Sequence, residues 1–110
     1  MTFKSGIVVM APDGDPKWHS ASIKTSKLEL TIVVVELFNY DKAVEVCQDL
    51  VKNVGVQSII LCPGFSHDAV AKIANAAGQG VAVSVARGDI PSVMVTGEIL
   101  AKEGWLPKGH

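Results

Sequence analysis

The stretch NYDKAVEVCQDLVKNVGVQSIILCPGFS, residues 39–66, holds a complete helix, the strand that follows it and the turn after that strand. Ala43, Val44, Val46, Cys47, Leu50, Val51 and Val54 recur at three- and four-residue spacing, and Glu45, Gln48, Asp49, Lys52 and Asn53 fall on the other side. Asn39-Tyr40-Asp41 starts this helix and Gly55 closes it as a C-terminal cap. Val56–Leu61 is too short for a helix and rich in β-branched residues, so it reads as a strand. The turn Cys62–Ser66 leads to a second helix, His67 to Ala77, with Val70, Ala71, Ile73, Ala74 and Ala77 facing inward and Gly78 or Gly80 ending it. Helix, strand, helix in this order is the repeating unit of a parallel sheet with right-handed crossovers.

Working outward, Gly6–Met10 is a buried first strand that runs into the loop Ala11-Pro12-Asp13-Gly14-Asp15-Pro16. Asp15 followed by Pro16 has the form of a helix start, a capping carboxylate and then proline at the first helical position. A short helix is expected from Pro16 to Ile23. Leu28–Val35, with Thr31–Val35 at its centre, is the second strand, and Val81–Ala86 is the fourth. After Arg87 two readings stay open. Asp89-Ile90-Pro91 starts a helix, or Val93–Val95 forms a short strand with Thr96 capping a last helix through Lys102.

The expectation is therefore one α/β domain over residues 1–110, of two or three layers, with 91–110 as a C-terminal extension. Its mainly parallel four-stranded sheet takes the flavodoxin-like order 2-1-3-4; a fragment of a curled, barrel-like parallel sheet is the alternative.

Composition narrows the function classes. The chain is 48% hydrophobic but only 5% aromatic, so its core is aliphatic. Ten basic and eleven acidic residues give a net charge of -1, with no run of either sign. That excludes a basic footprint for nucleic acid and a polybasic patch for an anionic membrane. No apolar run approaches the about 20 residues of a spanning helix, and Met1–Gly6 lacks the layout of a signal peptide. Cys47 and Cys62 are too few for a disulfide framework or a Cys-rich zinc site. Both lie in apolar contexts, which suits a reducing cytoplasm. The apolar tail Gly104-Trp105-Leu106-Pro107 is costly to leave in water and is expected to pack on a neighbouring chain, giving a homo-oligomer.

In open α/β sheets ligands bind beyond the carboxyl ends of the strands, where the strand order reverses. Three loops open there: Ala11–Asp15, Cys62–Ser66 and Arg87–Asp89. A glycine-bearing turn into a helix offers backbone N–H groups to an anion, so Gly64, Ser66 and His67 are candidate ligand-binding residues. Ser66 also suits a plain helix cap. Arg87, directly after the last strand, either grips an anionic ligand or pairs with Asp89 or Asp13. Cys62 is a candidate nucleophile, since a helix N-terminus and a nearby cation (His67 or Arg87) lower a thiol's pKa; a small buried hydrophobe is the plainer role. His19 is a candidate general acid or base. Asp13 and Asp15 complete the ligand-binding set. With His19 they have the donor chemistry of a hard-cation site, although loop aspartates beside Gly and Pro commonly form turns, and no metal is assigned.

The sharper catalytic signatures break at named residues. Gly64-Phe65-Ser66-His67-Asp68 has Asp68 where a nucleophile elbow needs glycine, and the same Asp68 stands where a cysteine-phosphatase loop needs arginine. The P-loop and the dinucleotide glycine fingerprint are absent. The pattern Ala11-Pro12, Asp15-Pro16 and His19, then Cys62, Gly64 and Phe65 after a strand, then Arg87 after the last strand, resembles short bacterial and archaeal proteins of a family of unknown function. The resemblance spans roughly residues 3 to 90. This chain has Pro63 where that family suggests glycine, and Ile90-Pro91-Ser92-Val93 where it suggests a glycine-rich stretch with a histidine. The resemblance supplies no activity to carry over, and the cofactor is left unknown. Two functions stand side by side: a strand-end site for a small anionic metabolite, with or without catalysis, and a non-catalytic oligomeric or interaction module.

Overall fold

The computed structural model describes residues 1–106; Pro107, the end of the apolar tail, and the rest of the 1–110 domain lie outside the described residues. The strands are β1 (Phe3–Ala11), β2 (Ser20–Lys24), β3 (Leu28–Glu36), β4 (Ser58–Leu61) and β5 (Ala82–Val85). The helices are α1 (Tyr40–Asp49), α2 (His67–Ala77) and α3 (Ile90–Lys102). The sheet order is β2-β3-β1-β4-β5. β1 pairs in parallel with both β3 and β4, β5 pairs in parallel with β4, and β2 lies antiparallel on β3. The four-stranded 2-1-3-4 sheet is therefore corrected to five strands, mostly parallel. No helix among the described residues is long and apolar enough to cross a membrane.

The added strand is the segment expected as the helix Pro16–Ile23. Asp15 does begin a turn: its carboxylate accepts the Lys17 N–H at 3.0 Å, and its carbonyl accepts the N–H groups of Trp18 and His19. The turn does not propagate, because Lys17 to Lys24 offers no apolar stripe at helical spacing. Ser20-Ala21-Ser22-Ile23 alternates instead, and an alternating segment zips onto an open strand. A tight turn joins β2 to β3. The Thr25 hydroxyl accepts the N–H groups of Lys27 and Leu28, and Thr25 N–H donates to the Leu28 carbonyl at 2.8 Å.

The other elements follow from local chemistry. The Asn39 side chain caps α1 by accepting the Lys42 N–H at 3.1 Å. α1 continues as one π-helical turn, Leu50–Val54, and ends at Gly55, whose φ of 83° is costly for a side-chain-bearing residue. Ser66 caps α2 by accepting the Ala69 N–H. The buried face of α2 is Ala69, Ile73 and Ala77, whereas Ala71 and Ala74, expected inside, are exposed. Residues 90–102 form one helix, so the Asp89-Ile90-Pro91 start prevails and Val93–Val95 is not a strand.

The crossovers β3–α1–β4 and β4–α2–β5 advance in the same direction across the sheet, so right-handedness puts both helices on one face. There α1 and α2 pack together. Val8, Met10, Val33, Val35, Ile59 and Leu61 point into this layer with Ala43, Cys47, Phe65 and Ile73. Every buried apolar strand residue lies on this face. On the other face Ile7, Val9, Leu30, Ile32, Val34 and Ile60 are half-buried by one another in the sheet. The β1–β3 connection, which places a helix there in a doubly wound fold, holds β2 instead. The fold thus has two layers.

That connection must cross the end of β3, and Gly14 is where it does. A Cβ at Gly14 would stand 2.3 Å from the Val35 carbonyl oxygen and 2.6 Å from its carbon. Gly14→Ala forces a backbone shift and is expected to cost about 1–3 kcal/mol, lowering the melting temperature by about 4–8 °C per kcal/mol. Gly97→Ala, in the interior of α3 with nothing within 4 Å of the added Cβ, is expected to leave stability unchanged or raise it. Paired thermal melts check both.

Candidate functional site

The carboxyl ends of β1 and β4 are adjacent, and the strand order reverses between them. α3 lies across this edge. Together they enclose a cavity of about 620 Å³. Met10, Leu37, Cys62, Pro63 and Gly64 form the wall on the sheet side. Val93, Thr96, Gly97 and Leu100 of α3 form the opposite wall, with Trp105 and Leu106 after it. Arg87, Gly88 and Asp89 are at the rim where β5 passes into α3. The interior is mainly apolar, and among the described residues that line it Arg87 is the cationic side chain.

Each wall has a local cause. Gly64 lets the β4–α2 turn approach the core: a Cβ there would meet the Met10 methyl carbon at 2.9 Å. The Tyr40 hydroxyl donates to the Gly64 carbonyl at 3.2 Å, and the Tyr40 ring packs on Phe65 with centroids 5.8 Å apart. On α3 the residues facing the cavity follow a helical stripe, and Gly97 and Leu100 are its half-buried members. Trp105 N–H closes the end of α3 on the Leu100 carbonyl at 2.9 Å. Trp105 and Leu106, expected to seek a neighbouring chain, are half-buried here against their own chain.

The candidate residues divide. Cys62, Gly64 and Arg87 meet at the cavity. Arg87 Nε donates to the Asp89 carboxylate at 2.6 Å, so of its expected partners Asp89 is the one it holds. The Cys62 thiol is half-buried and, among the described residues, hydrogen-bonds to no side chain; neither His67 nor Arg87 joins it. Ser66 and His67 are exposed and line no part of this cavity. The Ser66 hydroxyl is occupied by the α2 cap.

Asp13, Asp15 and His19 lie elsewhere on the same edge. His19 Nδ1 accepts the Asp15 backbone N–H at 3.0 Å, so this ring closes the turn into β2. Asp15 lines a shallow polar cleft of about 450 Å³ with Glu36, Asn39 and Lys42. Those groups already satisfy one another or their own helix: Asn39 caps α1 and Lys42 pairs with Glu45 at 3.3 Å. Among the described residues no three His, Cys, Asp or Glu side chains cluster to hold a metal, Asp13, Asp15 and His19 included.

The α3 wall escaped the sequence reading. Its signal was present in Val93, Thr96, Gly97 and Leu100, which recur at helical spacing. The competing strand reading of Val93–Val95 hid it.

The chain belongs to the family of unknown function DUF6506, which matches residues 3–95. The match covers the whole sheet, all three strand-end loops and the first half of α3. It establishes the resemblance to a family of unknown function and brings no activity with it. No curated protein and no solved structure matches the chain.

The two thiols differ in exposure, Cys47 being buried and Cys62 half-buried. Cys47 is fully buried, and burial pushes its thiol up to about 12. It is therefore protonated at any ordinary pH and shielded from reagents. A water-soluble disulfide reagent at mildly alkaline pH is expected to modify one thiol of the native protein and both in denaturant. Cys62→Ala should abolish the native reaction and leave the second thiol to appear only on unfolding.

Proposed function

We propose that this member of a family without an assigned activity is a small-molecule-binding domain, and that its ligand is an amphipathic acid held between the strand ends and α3. The observation that carries this reading is the cavity itself. Its volume falls within the range of about 300–1,000 Å³ for ligand pockets, which are mostly apolar with a few placed polar groups. Met10, Leu37, Leu100 and Trp105 suit a hydrocarbon or aromatic body. Arg87 at the rim suits a carboxylate, which would take the guanidinium over from Asp89 or share it. A sugar phosphate suits the site poorly, since most of the wall offers it no hydrogen bonds.

Binding without chemistry is the economical form of the proposal. Catalysis by general acid and base needs a titrating group within reach of the ligand. His19 is committed to its turn and Asp89 to Arg87, and among the described residues no base hydrogen-bonds to Cys62. A cavity lined by an apolar helix with no fully buried residue also has a ready means of entry, because elements with few buried contacts open at low free-energy cost.

Thermal shift with butyrate, octanoate, decanoate and glucose 6-phosphate tests the assignment. Octanoate and decanoate should raise the melting temperature, since a ligand at a hundredfold its dissociation constant adds roughly 2.7 kcal/mol to native stability. Butyrate and glucose 6-phosphate should do little. Leu100→Arg should remove the decanoate shift, and Arg87→Ala should weaken it while leaving the unliganded melt close to wild type, the Arg87–Asp89 pair being exposed. No shift with any of the acids, or an equal shift in Leu100→Arg, would refute the reading.

A further inference from the structure

We propose, on the reading of the cavity as a site for an amphipathic acid, that Asp89 is a positioning residue that changes partner on binding: it pairs with Arg87 until a ligand carboxylate takes the guanidinium, and then it caps α3. Asp89 immediately precedes α3 and has the extended backbone of a cap residue, φ -97° and ψ 139°, yet among the described residues its side chain accepts no N–H of the helix. Asn39 and Ser66 hold the same position on α1 and α2, and each accepts the N–H three residues on. Aspartate caps as well as either of them. The Asp89 carboxylate is instead turned back onto Arg87 Nε at 2.6 Å. Only a side-chain rotation separates the two arrangements, since the backbone is already set for the cap.

α3 is the element for which that choice matters. None of its residues is buried, and its interior carries Gly97 and the β-branched Val93, Val95 and Thr96. A helix of 13 residues is marginal without packing, so its ends weigh heavily. The C-terminal end is closed by the Trp105 N–H on the Leu100 carbonyl. At the other end Pro91, the second helical residue, has no N–H to offer, which leaves the Ser92 N–H for a cap to take. An exposed ion pair and a helix cap stabilise by comparable small amounts, and a modest bias decides between them. A ligand carboxylate beside Arg87 supplies that bias. It competes for the guanidinium and puts a second negative charge next to Asp89, while the positive end of α3 attracts the displaced side chain. Ser92, Val93, Thr96 and Gly97 line the cavity from the helix that the cap then steadies. Capping and binding thus strengthen each other by the same factor.

Amide hydrogen exchange in α3, with and without decanoate, and decanoate affinity by calorimetry test the coupling. In the wild type the amides of α3 should exchange at least about fivefold more slowly with decanoate bound. Arg87→Ala and Asp89→Asn both break the ion pair and keep a capping side chain. Each should slow exchange in α3 without ligand and leave the global melt nearly unmoved, because an element with few buried contacts opens locally. A pair that merely clamps the loop gives the opposite sign, faster exchange in both. Asp89→Asn and Asp89→Ala both release Arg87, but only asparagine can cap, so the first should bind decanoate about fivefold more tightly than the second. Equal affinity in these two variants, or unchanged or faster exchange in α3 of unliganded Asp89→Asn and Arg87→Ala, would overturn the coupling and leave the binding site standing. Decanoate without affinity for the wild type or any variant would take down the binding reading, and the coupling with it.

Discussion

The chain has to get from the end of β1 to the far side of β3, and the closeness of that crossing governs the architecture. Gly14 lies against the Val35 carbonyl with no room for a side chain. The adjoining hydrogen bonds, Gly14 N–H and Leu37 N–H to the Ala11 carbonyl, hold the top of β1 and the exit of β3 together. A crossing this tight needs no helix. It delivers the chain to the outer edge of β3, where β2 pairs antiparallel and turns back. The second face of the sheet is left without a helical layer for that reason, and both crossover helices collect on the first.

The strand-end edge inherits a consequence. With the β1–β2 connection pressed flat over β3, Asp13, Asp15 and His19 are drawn to that side, and Asp15 and His19 are spent on turn geometry. The space over β1 and β4 is left for α3. Cys62, Gly64 and Arg87 stay beside that space because they follow β4 and β5 directly. A topological rule about where ligands sit therefore selects the right edge but cannot say how loops divide along it. That depends on backbone contacts such as the one at Gly14.

The elements legible from sequence are those with both a cap and a period. α1 has Asn39 at one end and Gly55 at the other, and α2 has Ser66; their apolar residues repeat at helical spacing between those points. β2 was hidden by a true local signal: Asp15 does cap a turn, but a cap without an apolar stripe behind it nucleates nothing stable. The alternation Ser20 to Ile23 and the hydroxyl of Thr25 were the competing signals, and long-range pairing with β3 decided between them. Of the site, Cys62, Gly64 and Arg87 were legible because a strand end fixes them. The α3 wall was not, because Val93 to Leu100 carries apolar residues on every side, a pattern that a single sequence does not assign to one face.

The register of β1 bears on how the protein is made. β1 is central in the sheet yet first in the chain, and both its partners come later, β3 from Leu28 and β4 only from Ser58. During synthesis its apolar run must leave the ribosome and wait unpaired for each of them in turn, while β2 and β3 need only one tight turn to meet. Local pairings close at little entropic cost and distant ones at more. The hairpin is thus the piece that can order early, and the strand at the centre of the finished sheet is the one that must be kept from aggregation longest.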